Sequence, residues 1–208
     1  MIKIKICGLR DLENSRAVAD LNPDYMGFIF WSKSSRFVDT ATPSLPNSIK
    51  KTGVFVDETP SVIRKQIENH KLNALQLHGN ETTEMCAALK ETGTEVIKAF
   101  SVGASFNFKN LEPYLSSCDF FLFDTKGPLP GGNGYRFDWS LLADYPFDKP
   151  FFLSGGIGLE YLPALKRIAK EALPLYAIDV NSKFETAPGH KDLQTLKEFK
   201  TQWDELQR

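Results

Sequence analysis

The stretch Met1-Ile2-Lys3-Ile4-Lys5-Ile6-Cys7-Gly8-Leu9-Arg10 opens the chain and sets its architecture. Apolar and charged residues alternate with period two, which predicts a strand over about 2–7. Ile2, Ile4 and Ile6 then share one face, while Lys3, Lys5 and Cys7 share the other. A helical stretch at about 11–21 and a second β-rich run at about 25–30 follow, making a strand–helix–strand unit. The unit recurs. Further strands are expected at about 52–56, 74–77, 95–100, 119–123, 150–154 and 175–179. Helices are expected at about 44–50, 60–70, 81–92, 106–116, 138–144, 158–172 and 191–206, with single turns as the alternative at 44–50 and 138–144. The last shows Leu193, Leu196, Phe199, Trp203 and Leu206 as one stripe at helical spacing. Strict alternation implies a parallel sheet, because a parallel return needs a crossover. Eight such units predict an α/β fold, a single (β/α)8 barrel domain over 1–208. An open doubly wound sheet is the competitor. It lacks support, since no strand is followed by a G-x-G-x-x-G turn.

Composition narrows the function. The 208 residues are 42% apolar and 25% charged, an ordinary globular profile able to bury roughly 70% of the unfolded surface. Twenty-five basic and 26 acidic residues leave a net charge of −1, so nucleic acid and anionic membrane are not expected partners. The longest apolar runs fall far short of a bilayer span. The alternating N-terminus does not read as a secretory signal. Three cysteines, Cys7, Cys86 and Cys118, form no disulfide framework, and a cytoplasmic location is expected.

Barrel chemistry collects where strands end and the βα loops meet. Seven of the eight expected strands run into chemically capable residues at that end. They are Cys7, Ser35-Arg36, Asp57, His78-Gly79, Asp124, Ser154-Gly155-Gly156 and Asp179-Val180-Asn181-Ser182. The opposite ends show no such set. On the inward face of strand 1, Lys5 lies about 6.6 Å below Cys7. A buried ammonium needs a partner, which Asp179 or Asp124 offers. Its charge is expected to depress the Cys7 thiol pKa. Asp124 precedes the glycine-rich segment Gly127-Pro128-Leu129-Pro130-Gly131-Gly132-Asn133-Gly134, expected to close over substrate. There Asp124 would be held protonated as a general acid, although capping a turn is the common role of such an aspartate. Gly155 and Gly156 after strand 7, with Asn181 and Ser182 after strand 8, suit a phosphate. Arg36 offers a planar fork to a carboxylate or phosphate. His70, His78 and His190 show no metal-ligand spacing, so neither metal nor cofactor is expected.

Taken together, these motifs resemble the phosphoribosylanthranilate isomerase family of tryptophan biosynthesis. The resemblance rests on Lys5-Ile6-Cys7-Gly8, Gly27-Phe28-Ile29-Phe30 before Ser35-Arg36, Gly53-Val54-Phe55-Val56, Gln76-Leu77-His78-Gly79 and Phe123-Asp124-Thr125. It continues through Gly131-Gly132-Asn133-Gly134 with Phe137-Asp138-Trp139, Leu153-Ser154-Gly155-Gly156, and Asp179-Val180-Asn181-Ser182 to Pro188-Gly189. It implies a (β/α)8 barrel catalysing an Amadori rearrangement of N-(5-phospho-β-D-ribosyl)anthranilate to 1-(2-carboxyphenylamino)-1-deoxy-D-ribulose 5-phosphate. It assigns Asp124 as general acid, Cys7 as general base and Arg36 as the contact for the anthranilate carboxylate. It further implies that Gly155, Gly156, Asn181 and Ser182 hold the phosphate and that His78 and Asp179 also bind substrate. A monomer is implied, with a homodimer as the alternative.

The chain departs from the family's usual pattern in places. Asn133, Tyr135 and Arg136 replace a small hydroxyl residue, Lys and Thr; Lys183 replaces glycine; Ser35 replaces proline. The related histidine-pathway isomerase would carry aspartate where Cys7 stands, and a metal-dependent epimerase would need ligand histidines at strand ends. A non-catalytic barrel would have damaged acid, base or phosphate elements, and here all are intact.

Overall fold

The computed structural model describes residues 1–125, 127 and 137–207. Eight strands close into one parallel barrel in chain order: β1 (Lys3–Leu9), β2 (Tyr25–Ile29), β3 (Lys50–Phe55), β4 (Ala74–Leu77), β5 (Glu95–Val102), β6 (Phe120–Thr125), β7 (Phe151–Leu153) and β8 (Leu175–Val180). The seam is the β1–β8 pairing, in which Lys5 lies beside Asp179 and Ile6 beside Val180. Between strands run α1 (Leu12–Ala19), α2 (Pro60–His70), α3 (Thr83–Lys90) and α4 (Leu162–Ile168), and α5 (Leu193–Leu206) closes the outer ring. Among the described residues, no helix is long and apolar enough to cross a membrane.

Period-two alternation sorts the buried residues into two layers. Ile4, Ile6, Met26, Phe28, Leu75, Leu77, Phe121, Phe123, Ile178 and Val180 point outward and pack with the apolar faces of the helices. Tyr25, Ala74, Ile97, Ala99, Leu122, Phe152 and Ala177 fill the barrel interior. Phe120 and Tyr176, with centroids 4.4 Å apart, extend that interior plug. One inward step further along β4, β6, β7 and β8, this apolar layer gives way to Gln76, Asp124, Ser154 and Asp179 at the mouth.

At 44–50, where a helix or a single turn is expected, the single turn forms. Pro43 and Pro46 push the residues before them out of the helical region, and only a turn closed by Ile49 N–H to the Pro46 carbonyl (3.0 Å) forms before β3. The stretches expected at 106–116 and 138–144 form short 3₁₀ helices, Phe108–Tyr114 and Trp139–Asp144, the first containing Pro113. A two-stranded hairpin, β9 (Glu185–Ala187) with β10 (His190–Lys191), interrupts the connection from β8 to α5 and was not expected.

Candidate active site

A cavity opens at the C-terminal mouth of the barrel. Cys7, Arg36, His78, Asp124, Gly155, Gly156, Asp179, Asn181 and Ser182 all line it, so every site residue expected from the sequence is there. Ser35 and Ser154 join them, while Ile29, Trp31, Val54, Val56 and Ile157 supply an apolar wall. Asp57, expected at the mouth end of the third strand, is not among the lining residues. It has a left-handed φ of 51° and accepts the Asn80 N–H at 2.6 Å, tying β3 to the loop after β4. Gly127 is described, but the rest of the expected closing segment, with Asn133, Tyr135 and Arg136, lies outside the described residues.

Cys7 occupies the last inward position of β1 before the turn. Its sulfur lies across β2, where a Cβ on Gly27 would approach within 2.6 Å, so only glycine leaves room for the thiol. Below it, the Lys5 ammonium donates to both Asp179 oxygens, at 3.0 and 2.9 Å, with the two side chains 0% and 4% exposed. Asp179 is therefore the partner, as adjacent register on β1 and β8 dictates. Burial opposes the ammonium, but Asp179 and Cys7 outweigh it and hold the Lys5 pKa above its ordinary value.

The expected depression of the Cys7 pKa is not found. Burial pushes the thiol up, and Lys5 offsets this only in part because the adjacent Asp179 charge adds to the rise. The expectation weighed the Lys5 charge without the burial of the thiol, and with both Asp179 oxygens bound to that ammonium the sulfur faces an ion pair rather than a lone charge.

Asp124 ends the inward face of β6. One oxygen accepts the Thr125 N–H at 2.9 Å and the other lies 3.4 Å from His78 Nε2. His78 is fixed from its other side by the Gln76 amide, 3.0 Å from Nδ1. Its Nε2 is buried without a hydrogen-bond partner among the described residues and faces Asp124. On the outward face of β5, Lys98 forms a buried ion pair with Glu81 at 3.1 Å, and Glu81 accepts the Gly79 N–H at 3.0 Å. That pins the loop carrying His78.

Arg36 is bound by Glu185, which the sequence reading missed, as it missed Lys191 and Gln76. Glu185 and Lys191 flank Pro188-Gly189, so two opposite charges on either side of a Pro-Gly turn were the available signal.

The sequence model of the N-(5'-phosphoribosyl)anthranilate isomerase family matches residues 4–202. The chain belongs to that family. The N-(5'-phosphoribosyl)anthranilate isomerase of Parabacteroides distasonis is 43% identical over 203 residues, covering 94% of this chain and 90% of that protein. A phosphoribosyl anthranilate isomerase solved in complex with reduced 1-(o-carboxyphenylamino)-1-deoxyribulose 5-phosphate superposes with a TM-score of 0.77. It is 32% identical, and the superposition covers 99% of this chain and 100% of that one. Monomers generated from the dimeric Thermotoga maritima enzyme give a TM-score of 0.76 at 32% identity, with the same coverage of both chains.

Proposed function

We propose that this family member isomerises N-(5-phospho-β-D-ribosyl)anthranilate to 1-(2-carboxyphenylamino)-1-deoxy-D-ribulose 5-phosphate, in tryptophan biosynthesis. Family membership over residues 4–202 carries the reaction. The meeting of Cys7 and Asp124 in one cavity carries the mechanism.

Asp124 acts as the acid. It gives its proton to the furanose ring oxygen, the C1–O bond breaks, and the nitrogen lone pair forms a C1=N iminium. The Cys7 thiolate then removes the C2 proton, and that electron pair forms the C1=C2 bond and neutralises the nitrogen. The resulting enolamine takes a proton at C1 as its C2 hydroxyl loses one to become the ketone, and the proton held by Cys7 returns through solvent to Asp124, restoring both groups. Burial disfavours the thiolate in the free protein. The iminium charge favours it at the moment it is needed, so ring opening prepares proton abstraction. Each positioned proton transfer typically contributes 10²–10⁴-fold.

Binding follows the cavity's chemistry. Arg36 meets the anthranilate carboxylate, and the aromatic ring lies against Ile29, Val54 and Val56. Gly155 and Gly156 offer backbone N–H groups to the phosphate, with Asn181 and Ser182 opposite. His78 and Asp179 border the sugar, between acid and base.

All three cysteines are free and buried, which supports a cytoplasmic location. The working assembly is a monomer. Sedimentation at micromolar concentration checks this against a homodimer such as the Thermotoga maritima relative forms.

Turnover of freshly generated substrate, followed by loss of anthranilate-type fluorescence with EDTA present, tests the reading. Rapid decay that survives EDTA is expected. No decay with folded protein refutes it.

A further inference from the structure

Arg36 stands at the cavity wall in a fixed orientation. Its Nε donates to both Glu185 oxygens, at 2.9 and 3.1 Å, and its Nη2 donates to Glu185 Oε2 at 2.7 Å. Glu185 is itself fixed: Oε1 also accepts from Lys191 Nζ at 2.8 Å and from the Gly189 N–H at 3.2 Å. Lys191 Nζ continues to Asn181, 2.8 Å from Oδ1 and 3.3 Å from the carbonyl. The backbone of Lys191 is held by Asn14 of α1, which accepts its N–H at 2.7 Å and donates to its carbonyl at 2.9 Å. The Glu185 and Lys191 side chains are 5% and 0% exposed. Gly8, at φ +75°, completes the seat: a Cβ there would lie 2.7 Å from Arg36 Cδ and 2.4 Å from Asn181 Oδ1.

A guanidinium has two forked edges. Glu185 takes the Nε–Nη2 edge, and Arg36 lines the cavity with its Nη1–Nη2 edge left for a ligand. We infer that Glu185, backed by Lys191, is a positioning residue that orients Arg36 for the aryl carboxylate and so sets selectivity for carboxylate-bearing arylamine phosphosugars. The inference rests on the proposed substrate.

Charge alone makes the opposite prediction. Glu185 is an anion beside a site for an anionic ligand, so neutralising it should tighten binding. If it acts by holding Arg36 in place, neutralising it weakens binding of the carboxylate and of nothing else. A bidentate contact replaced by a freely rotating one corresponds to about a tenfold loss.

The test is calorimetric titration of wild type and Glu185→Gln with two probes. One is reduced 1-(o-carboxyphenylamino)-1-deoxyribulose 5-phosphate; the other is the same compound without the carboxyl group. The ratio of the two Kd values on one preparation does not depend on the fraction folded. Wild type is expected to prefer the carboxylate probe by at least about tenfold. In Glu185→Gln that preference should collapse to about threefold or less, with the Kd of the carboxyl-free probe unchanged. A variant that keeps the wild-type ratio, or binds the carboxylate probe more tightly, overturns the inference. Equal binding of both probes by wild type overturns it too, while leaving the reaction intact. Binding of neither probe by wild type overturns the proposed function itself.

Discussion

Replacing Lys5 with methionine separates the structural cost of the ion pair from its chemical use. Lys5 and Asp179 sit side by side on β1 and β8, joined by bonds of 3.0 and 2.9 Å and all but sealed from solvent. Lys5→Met keeps a long apolar side chain in the barrel and leaves Asp179 without its partner. Removing one member of a buried pair costs about 3–5 kcal/mol, because the remaining charge has neither water nor counter-charge. For a chain of 208 residues each kcal/mol lowers Tm by about 2–4 °C, so a drop of about 6–20 °C is expected. Replacing both members, as in Lys5→Met with Asp179→Leu, removes the orphaned charge and should recover most of the loss. Urea and thermal unfolding, followed by circular dichroism, give both numbers. A single variant within about 1 kcal/mol of wild type would show that Asp179 needs no partner. A double variant no more stable than the single one would show that packing, not charge, sets the cost.

Alkylation of Cys7 by iodoacetamide should show its inflexion above the ordinary thiol value near 8.5, since burial raises the pKa. Lys5→Met should move it higher still, and an inflexion below 8.5 in wild type would contradict the electrostatics described. Gly27→Ala places a Cβ 2.6 Å from the Cys7 sulfur and should lower kcat by at least about tenfold in folded protein. Full activity would show that the thiol can reach its target from another rotamer. Although burial opposes it, Arg36 and Lys191 hold the Glu185 carboxyl below its ordinary value. Its stabilisation is therefore complete above pH about 4.3 and is lost as pH falls through the folded pKa. The urea midpoints of wild type and Glu185→Gln should converge between pH 6 and the acid limit of folding; a gap independent of pH would refute the pairing.

The barrel was legible because its signals are local. Ile2 to Cys7 alternates over a full strand, and Leu193 to Leu206 repeats over a full helix, so period alone distinguishes them. The mouth was legible because parity fixes side: once Lys5 points inward so does Cys7, and the same count places Gln76 with His78, Leu122 with Asp124 and Ala177 with Asp179. The segment at 44–50 was legible only as a helix or a turn, because an apolar residue between two prolines fits either over so short a span. The choice of partner for Lys5 waited on register, which only the closed sheet supplies. Glu185 and Lys191 were hidden for a different reason. Each is a charged residue in a short hairpin with no period, and its role exists only through Arg36, 149 residues from Glu185 in the chain. The thiol pKa was misjudged because the Lys5 charge was weighed without the burial of the sulfur, which the closed barrel sets.

The central claim, that Cys7 and Asp124 exchange protons with one substrate in this cavity, is tested most directly by single-site kinetics. Turnover of phosphoribosylanthranilate by Cys7→Ala and by Asp124→Asn would be measured beside binding of the reduced product analogue. Each substitution should lower kcat by at least about 10²-fold while the analogue's Kd stays within about threefold of wild type. Either variant turning over within tenfold of wild type, with its fold and analogue binding intact, would contradict the assignment.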